Sequence, residues 1–206
     1  MVAEINDERK DKMTVEDLLT MRSGLDYSEV GNYDAMNASP DVVPYVLDLP
    51  IGEPGAKWSY CTGGSHLLSD IVRKTSGMST FDFAEQYLLE PLGITEFRWS
   101  GAAVKDPPGV YGLHLRPRNM AKLGYLYLRK GQWDGQQIVS SEWVEQATQK
   151  RTDVDADPHF GYGYHWFTVP GMEGYAALGG GGQIILVIPK SDLVVVSTAN
   201  TEESIC

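Results

Sequence analysis

What this chain lacks narrows it before any motif is read. Its 206 residues hold two cysteines, Cys61 and the final Cys206, too few for a disulfide framework, so the cellular compartment stays open. No stretch approaches the roughly 20 apolar residues of a membrane span, and Met1 to Lys12 is polar and charged, without the apolar core of a secretory signal. Basic charge is scarce: 17 Lys and Arg stand against 28 Asp and Glu, a net charge of −11, and no basic run interrupts that balance. Such a surface repels nucleic acid and anionic membrane. The four histidines, His66, His114, His159 and His165, lack the paired spacing of a zinc site, so each reads as a structural or surface group and neither metal nor cofactor is implied. The carboxylates are scattered, with no pair placed for glycoside hydrolysis, and their default role is solvation. Nor is any serine followed three places on by a lysine.

What remains is a globular composition, 42% hydrophobic and 22% charged, long enough for one domain or two small lobes. Thr14 with Asp17 predicts a capped helix over Val15 to Arg22 that stops at Gly24. From Leu25 to Gly55 the signals are mixed, apart from a helix over Asp41 to Leu49 and a firm turn at Pro54-Gly55. Leu67, Leu68, Ile71 and Val72 give one apolar face to a helix over Gly64 to Thr75, and Ser79 with Asp82 starts another. Glu90 to Leu115 is rich in Pro and Gly and reads as a long loop, of the kind that often carries function. Pro117 opens a helix to about Arg129, Asp134-Gly135 is a turn, Ser140 caps a helix through Gln149, and Phe160 to Val169 suits a strand.

The hairpin that follows organises the rest. Ile184 to Ile188 and Leu193 to Val196 are continuous apolar runs joined by Pro189-Lys190-Ser191-Asp192, and continuous runs predict strands covered on both faces, core rather than edge. Gly179 to Gly182 precede it, four residues without side chains. Read by themselves they are a turn or bulge, or a bare backbone able to bind an oxyanion. The expected order is a mostly helical region over 1–150, then an antiparallel meander of three or four strands over 151–206, within one domain.

Chemistry concentrates in Trp58-Ser59-Tyr60-Cys61-Thr62-Gly63-Gly64, which places a phenol and a hydroxyl just before a helix N-terminus, where free amides favour developing negative charge. Alone, Tyr60 fits either packing or proton transfer. With no lysine beside it, its phenol is expected near the ordinary value of about 10.

Taken together, the segments MTVEDLLTMRSGL (Met13 to Leu25), PGAKWSYCTGGSHLLSDIV (Pro54 to Val72), PLGI (Pro91 to Ile94), GLHLRPRNMAKLGYLYLRKGQWDGQQIV (Gly112 to Val139) and GYGYHW before the glycine-rich hairpin resemble, in order and spacing, the penicillin-recognising serine hydrolases. That family groups class C β-lactamases, DD-peptidases, related esterases and 6-aminohexanoate-dimer hydrolases. The resemblance implies an α+β fold of the β-lactamase/transpeptidase-like type, a helical lobe beside an antiparallel sheet covered by terminal helices, with the active site between them. It implies cleavage of an ester or amide through an acyl-enzyme. By the family's second motif, Tyr60 inherits the proton-transfer role and Thr62 the hydrogen bond to substrate. By the third, Ala177-Leu178-Gly179 lies beside the substrate, and the Gly180 amide is one oxyanion donor.

Two departures shape what the resemblance implies. The family's Ser-x-x-Lys nucleophile motif is missing, so the chain reads as an internal fragment truncated at both ends and inactive alone. Ala177 stands where β-lactamases place a lysine associated with the substrate carboxylate, which favours the esterase and amide-hydrolase branches. The competing expectations are a non-catalytic ligand-binding relative and a structural half that assembles with another chain. A sheet face without its terminal helices is expected to pair into a homodimer.

Overall fold

In the computed structural model of the protein, residues 7–100, 110–155, 157 and 159–199 are described. The chain divides into two compact units, Met1–Phe83 with Ser100–Gly112, and Ala84–Trp99 with Leu113–Cys206. The fold is α+β, helices with antiparallel sheets, as the resemblance implied. No helix among the described residues is long and apolar enough to cross a membrane.

The first unit is helical. Helix α1 (Val15–Leu19) starts as expected, with a reciprocal capping box between Thr14 and Asp17. It ends earlier than expected because Met21 already takes a left-handed backbone (φ 58°), while Gly24 (φ 78°) turns the chain three residues later. There Gly24 sits against residues 52–53, and Leu25 bridges to Ile51. The segment of mixed signals holds an unforeseen helix, α2 (Glu29–Ala38), whose weak amphipathicity hid it and whose N-cap is Ser28. Helix α3 (Val42–Asp48), capped by Asp41, follows as expected. Helix α4 (Thr62–Ser76) ends in a left-handed cap at Gly77, and α5 (Thr80–Ala84) follows, tied to it by a 2.7 Å contact between the Ser69 and Thr80 hydroxyls. Leu18, Met21, Met36, Val46, Ile51, Trp58 and Leu67 are buried among these helices.

The second unit is built on a six-stranded antiparallel meander: β5 (Thr152–Asp153), β6 (Gly161–Tyr162), β7 (Phe167–Val169), β8 (Gly174–Gly179), β9 (Gln183–Ile188) and β10 (Leu193–Ser197), each beside its sequence neighbour. Ahead of it come β1 (Phe97–Trp99) paired with β2 (Leu113–Leu115), and the hairpin of β3 (Gln132–Trp133) and β4 (Gln136–Gln137) turning at Asp134-Gly135. The meander exceeds three or four strands because β5 and β6 are too short to show a period, and the single strand expected over Phe160 to Val169 is broken at His165 (φ 58°). The pair β1–β2 lies inside the stretch expected to be one long loop, Glu90 to Leu115, and shortens it; residues 101–109 lie outside the described residues, as does Cys206.

Helix α6 (Pro117–Leu128) lies on β9 and β10, with Met120, Leu123, Tyr127 and Leu128 packed against the Trp166, Tyr175, Ile185 and Val187 cluster. The approach is so close that a Cβ on Gly124 would sit 2.6 Å from a Val194 methyl. Helix α7 (Ser141–Thr148) contributes Ala147 to the same cluster. A second cluster gathers Leu89, Leu92, Ile94 and Leu126. The hairpin differs from its expectation in one respect. Strand β10 is the edge of the sheet among the described residues, and Leu178, Leu193 and Val195, on the face opposite Ile185 and Val187, are exposed. A continuous apolar run shows that both sides of a strand are apolar. It does not show that this chain's own residues cover both.

Candidate functional site

Tyr60 lies on an extended stretch pinned to the turn after α1. The Ser59 amide donates to the Met21 carbonyl at 2.8 Å, and the Cys61 amide points to the Met21 sulfur at 3.4 Å. Trp58 and Cys61 are buried on either side, at 8% and 2% exposure, whereas Tyr60 is turned outward at 43%. Ser59 is exposed with it, and the Tyr60 ring lies tilted beside that of Trp58, 6.4 Å between centroids.

Cys61 is the N-cap of α4, its sulfur accepting from the Gly64 amide at 3.2 Å in the place usually held by a hydroxyl. Burial pushes its thiol up to about 11, which leaves no thiolate at neutral pH. Gly63 and Gly64 are bare because the helix start is pressed against its neighbours: a Cβ on Gly63 would meet the Val46 methyls of α3 at 3.0 and 3.2 Å, and one on Gly64 would meet Leu18 of α1 at 3.4 Å.

Thr62, the first residue of α4, is held twice by one carboxylate. Its amide donates to Glu29 Oε1 at 2.9 Å and its hydroxyl donates to Glu29 Oε2 at 3.0 Å. Glu29 opens α2 and places its charge at the positive end of α4. This residue escaped the sequence reading because 33 positions separate it from Thr62, and no local pattern marks such a pair.

Tyr60 is only partly exposed, and the burial of the rest of its side chain, then the Glu29 charge, push its phenol above the ordinary value, which corrects the expectation that it would sit there unperturbed. Tyr27 is raised in the same way, by burial first and Glu29 second. At neutral pH Tyr60 is therefore a proton donor. Further along α4, His66 is buried with no partner for Nε2, its ring edge-on to Tyr111 at 5.9 Å, and burial holds its imidazole down to about 4.

The remaining candidate residues lie in the second unit. Ala177 is paired with Ile185 and is half-buried against the cluster beneath α6. Gly179 ends β8 opposite Gln183, and Gly180 follows with open space where a Cβ would stand. Gly181 (φ 84°) and Gly182 (φ 87°) need their missing side chains to turn the hairpin. Tyr60 and Thr62 thus share one unit, and Ala177, Gly179 and Gly180 share the other.

The fold is α+β, of the β-lactamase/transpeptidase-like type. A putative 6-aminohexanoate-dimer hydrolase from Bacillus anthracis has a similar structure (TM-score 0.78, 22% identity), which covers 95% of this chain and 57% of that one. The chain belongs to the beta-lactamase family, a family of serine hydrolases, whose model matches residues 2–205. Among curated proteins, an uncharacterized protein of Alkalihalophilus pseudofirmus is 26% identical over 179 residues, 71% of this chain and 53% of that one. A penicillin-binding protein of Bacillus subtilis is 30% identical over 124 residues, 56% of this chain and 25% of that one. The chain spans about half the length, or less, of the curated relatives it matches.

Proposed function

We propose that this chain carries the tyrosine-bearing part of an acyl-transfer site that cleaves a small ester or amide through an acyl-enzyme. The observation that carries the reading is the partly exposed phenol of Tyr60, just before the start of α4 and between the buried Trp58 and Cys61 with exposed Ser59 beside it. Tyr60 passes a proton between nucleophile and leaving group, Thr62 hydrogen-bonds the substrate, and the Gly179-Gly180 backbone supplies an oxyanion amide beside Ala177. The serine and lysine of the reaction come from a Ser-x-x-Lys that is not among these 206 residues. The methyl of Ala177 offers no charge to a substrate carboxylate, which favours neutral esters and amides over β-lactams.

Labelling tests this reading. The 206-residue chain should show no time-dependent, stoichiometric modification by a fluorophosphonate or a penicillin, whereas a polypeptide joining a family member's Ser-x-x-Lys segment to it should be labelled at that serine. Labelling of one serine within the 206 residues would place the nucleophile elsewhere. We further infer that the exposed apolar face of Leu178, Leu193 and Val195 pairs two copies of the chain. A monodisperse monomer by light scattering at high concentration, binding no hydrophobic dye, would refute that pairing.

A further inference from the structure

Tyr60-Cys61-Thr62 meets its one carboxylate partner, among the described residues, at Glu29. A threonine hydroxyl has a single hydrogen and two lone pairs. Here the hydrogen is committed to Glu29 Oε2, and the Thr62 amide is committed to Oε1 of the same group. We propose that Glu29 is a positioning residue of this site: it holds the turn on the start of α4 with the Thr62 hydrogen tied down, so that Thr62 meets a substrate only as an acceptor. The group opposite Thr62 must then bring its own hydrogen, as an amide N–H or an ammonium does and a carbonyl, carboxylate or ester oxygen does not. The neighbouring negative charge adds to the preference for a hydrogen-bond donor. This substrate class rests on the acyl-transfer reading above; the positioning by Glu29 does not.

Substitution by glutamine makes the device visible. A glutamine has one acceptor oxygen, which the fixed Thr62 amide takes, and its NH2 group then faces Thr62 Oγ1. The threonine hydrogen is released from the carboxylate, free for a substrate or for the Tyr27 hydroxyl beside it, and the polarity of the turn changes. The backbone path and the side-chain volume stay the same.

The test is nuclear magnetic resonance on the 206-residue chain, with 13C on the tyrosine Cζ, assigned through Tyr60→Phe. In the wild type, the Thr62 amide shift should follow the titration of the Glu29 carboxyl with the same midpoint. In Glu29→Gln that response should vanish and the Tyr60 phenol should titrate at lower pH, and Glu29→Asp should restore part of the upward shift. Loss of packing alone would not be reversed by a shorter carboxylate. A Tyr60 titration and a Thr62 amide that are the same in wild type and folded Glu29→Gln would overturn the proposal. If Glu29→Gln does not fold, a wild-type Thr62 amide indifferent to the Glu29 titration overturns it equally. Neither reading needs turnover, so failure here is separate from failure of the acyl-transfer reading, which serine labelling decides.

Discussion

The two units bury different things. Beneath α6 the sheet unit buries carbon: Ala147, Trp166, Tyr175, Ile185 and Val187, with Tyr127 against Trp166 at 4.5 Å between ring centroids. The helical unit buries or half-buries polar groups among its apolar ones: His66 with an unpartnered nitrogen, Cys61 as a cap, and Glu29 bound to Thr62. Burial of carbon is nearly indifferent to pH, whereas burial of ionisable groups couples stability to protons. The helical unit is therefore where stability is expected to follow pH on the acid side, whereas the Tyr127 and Tyr175 phenols of the sheet unit, raised by burial, stay protonated there.

The sharpest way to test that division is to damage the sheet unit and vary the pH. Leu126 is fully buried in the Leu89, Leu92 and Ile94 cluster. Leu126→Ala should cost about 2–5 kcal/mol, the range for deleting a buried leucine side chain. Denaturant midpoints at pH 7 and pH 5 should show the same loss at both. A loss that changes markedly between them would mean that ionisable groups stand behind this cluster too.

The matching experiment in the helical unit should be strongly dependent on pH. Burial lowers the His66 imidazole from 6.5 to about 4. The unfolded chain therefore binds the extra proton first, so this contribution to stability is fully present above about pH 6.5 and is lost as pH falls toward 4. The loss is at most about 3 kcal/mol. His66→Phe keeps a ring beside Tyr111 and removes the proton site, so its stability should fall less than that of wild type between pH 6.5 and 4.5. Parallel curves for the two proteins would take His66 out of the acid response.

A third experiment separates chemistry from stability within the helical unit. Tyr60→Phe loses only the outward oxygen, in a ring 6.4 Å from Trp58. In the polypeptide carrying a Ser-x-x-Lys segment, kcat on a p-nitrophenyl ester should fall about 10²-fold or more, as loss of general acid–base assistance does. The thermal midpoint should barely move. A lysine ammonium brought beside the phenol opposes the upward push of burial and Glu29, so the raised value found here is the starting point from which a nucleophile segment must lower it. Retention of most of kcat would remove Tyr60 from the mechanism.

The same contrast explains what could be read from the residues alone. Helices α3, α4, α6 and α7 and the hairpin of β9 and β10 announce themselves through caps, apolar periodicity and turn residues, all of which are local. Helix α2 did not, because its apolar residues form no stripe, and the strand break at His165 did not, because a histidine in a left-handed conformation has no compositional mark. Tyr60 and Thr62 were picked out by their position before a helix. Glu29 was invisible there, since its partner is fixed by the packing of α2 near the start of α4 and not by any spacing along the chain.

The smallest expected effect lies at Thr62, within the helical unit. Thr62→Ala removes the hydroxyl bond to Glu29 and keeps the amide bond, so Glu29 retains one of its two hydrogen bonds to this residue. The loss of stability should be about 1 kcal/mol, the net worth of one hydrogen bond in a partly exposed place. Thr62→Ser keeps the hydroxyl and should recover most of that loss. In the polypeptide carrying a Ser-x-x-Lys segment, and on an amide substrate whose N–H Thr62 can accept, Thr62→Ala should lower kcat less than Tyr60→Phe does, because it takes away a binding contact and leaves the proton path intact. Thermal midpoints and kcat for the three proteins check this together. If Thr62→Ala lowered kcat as far as Tyr60→Phe, Thr62 would belong to the proton path, and the bond that ties its hydrogen to Glu29 would have to break during the reaction.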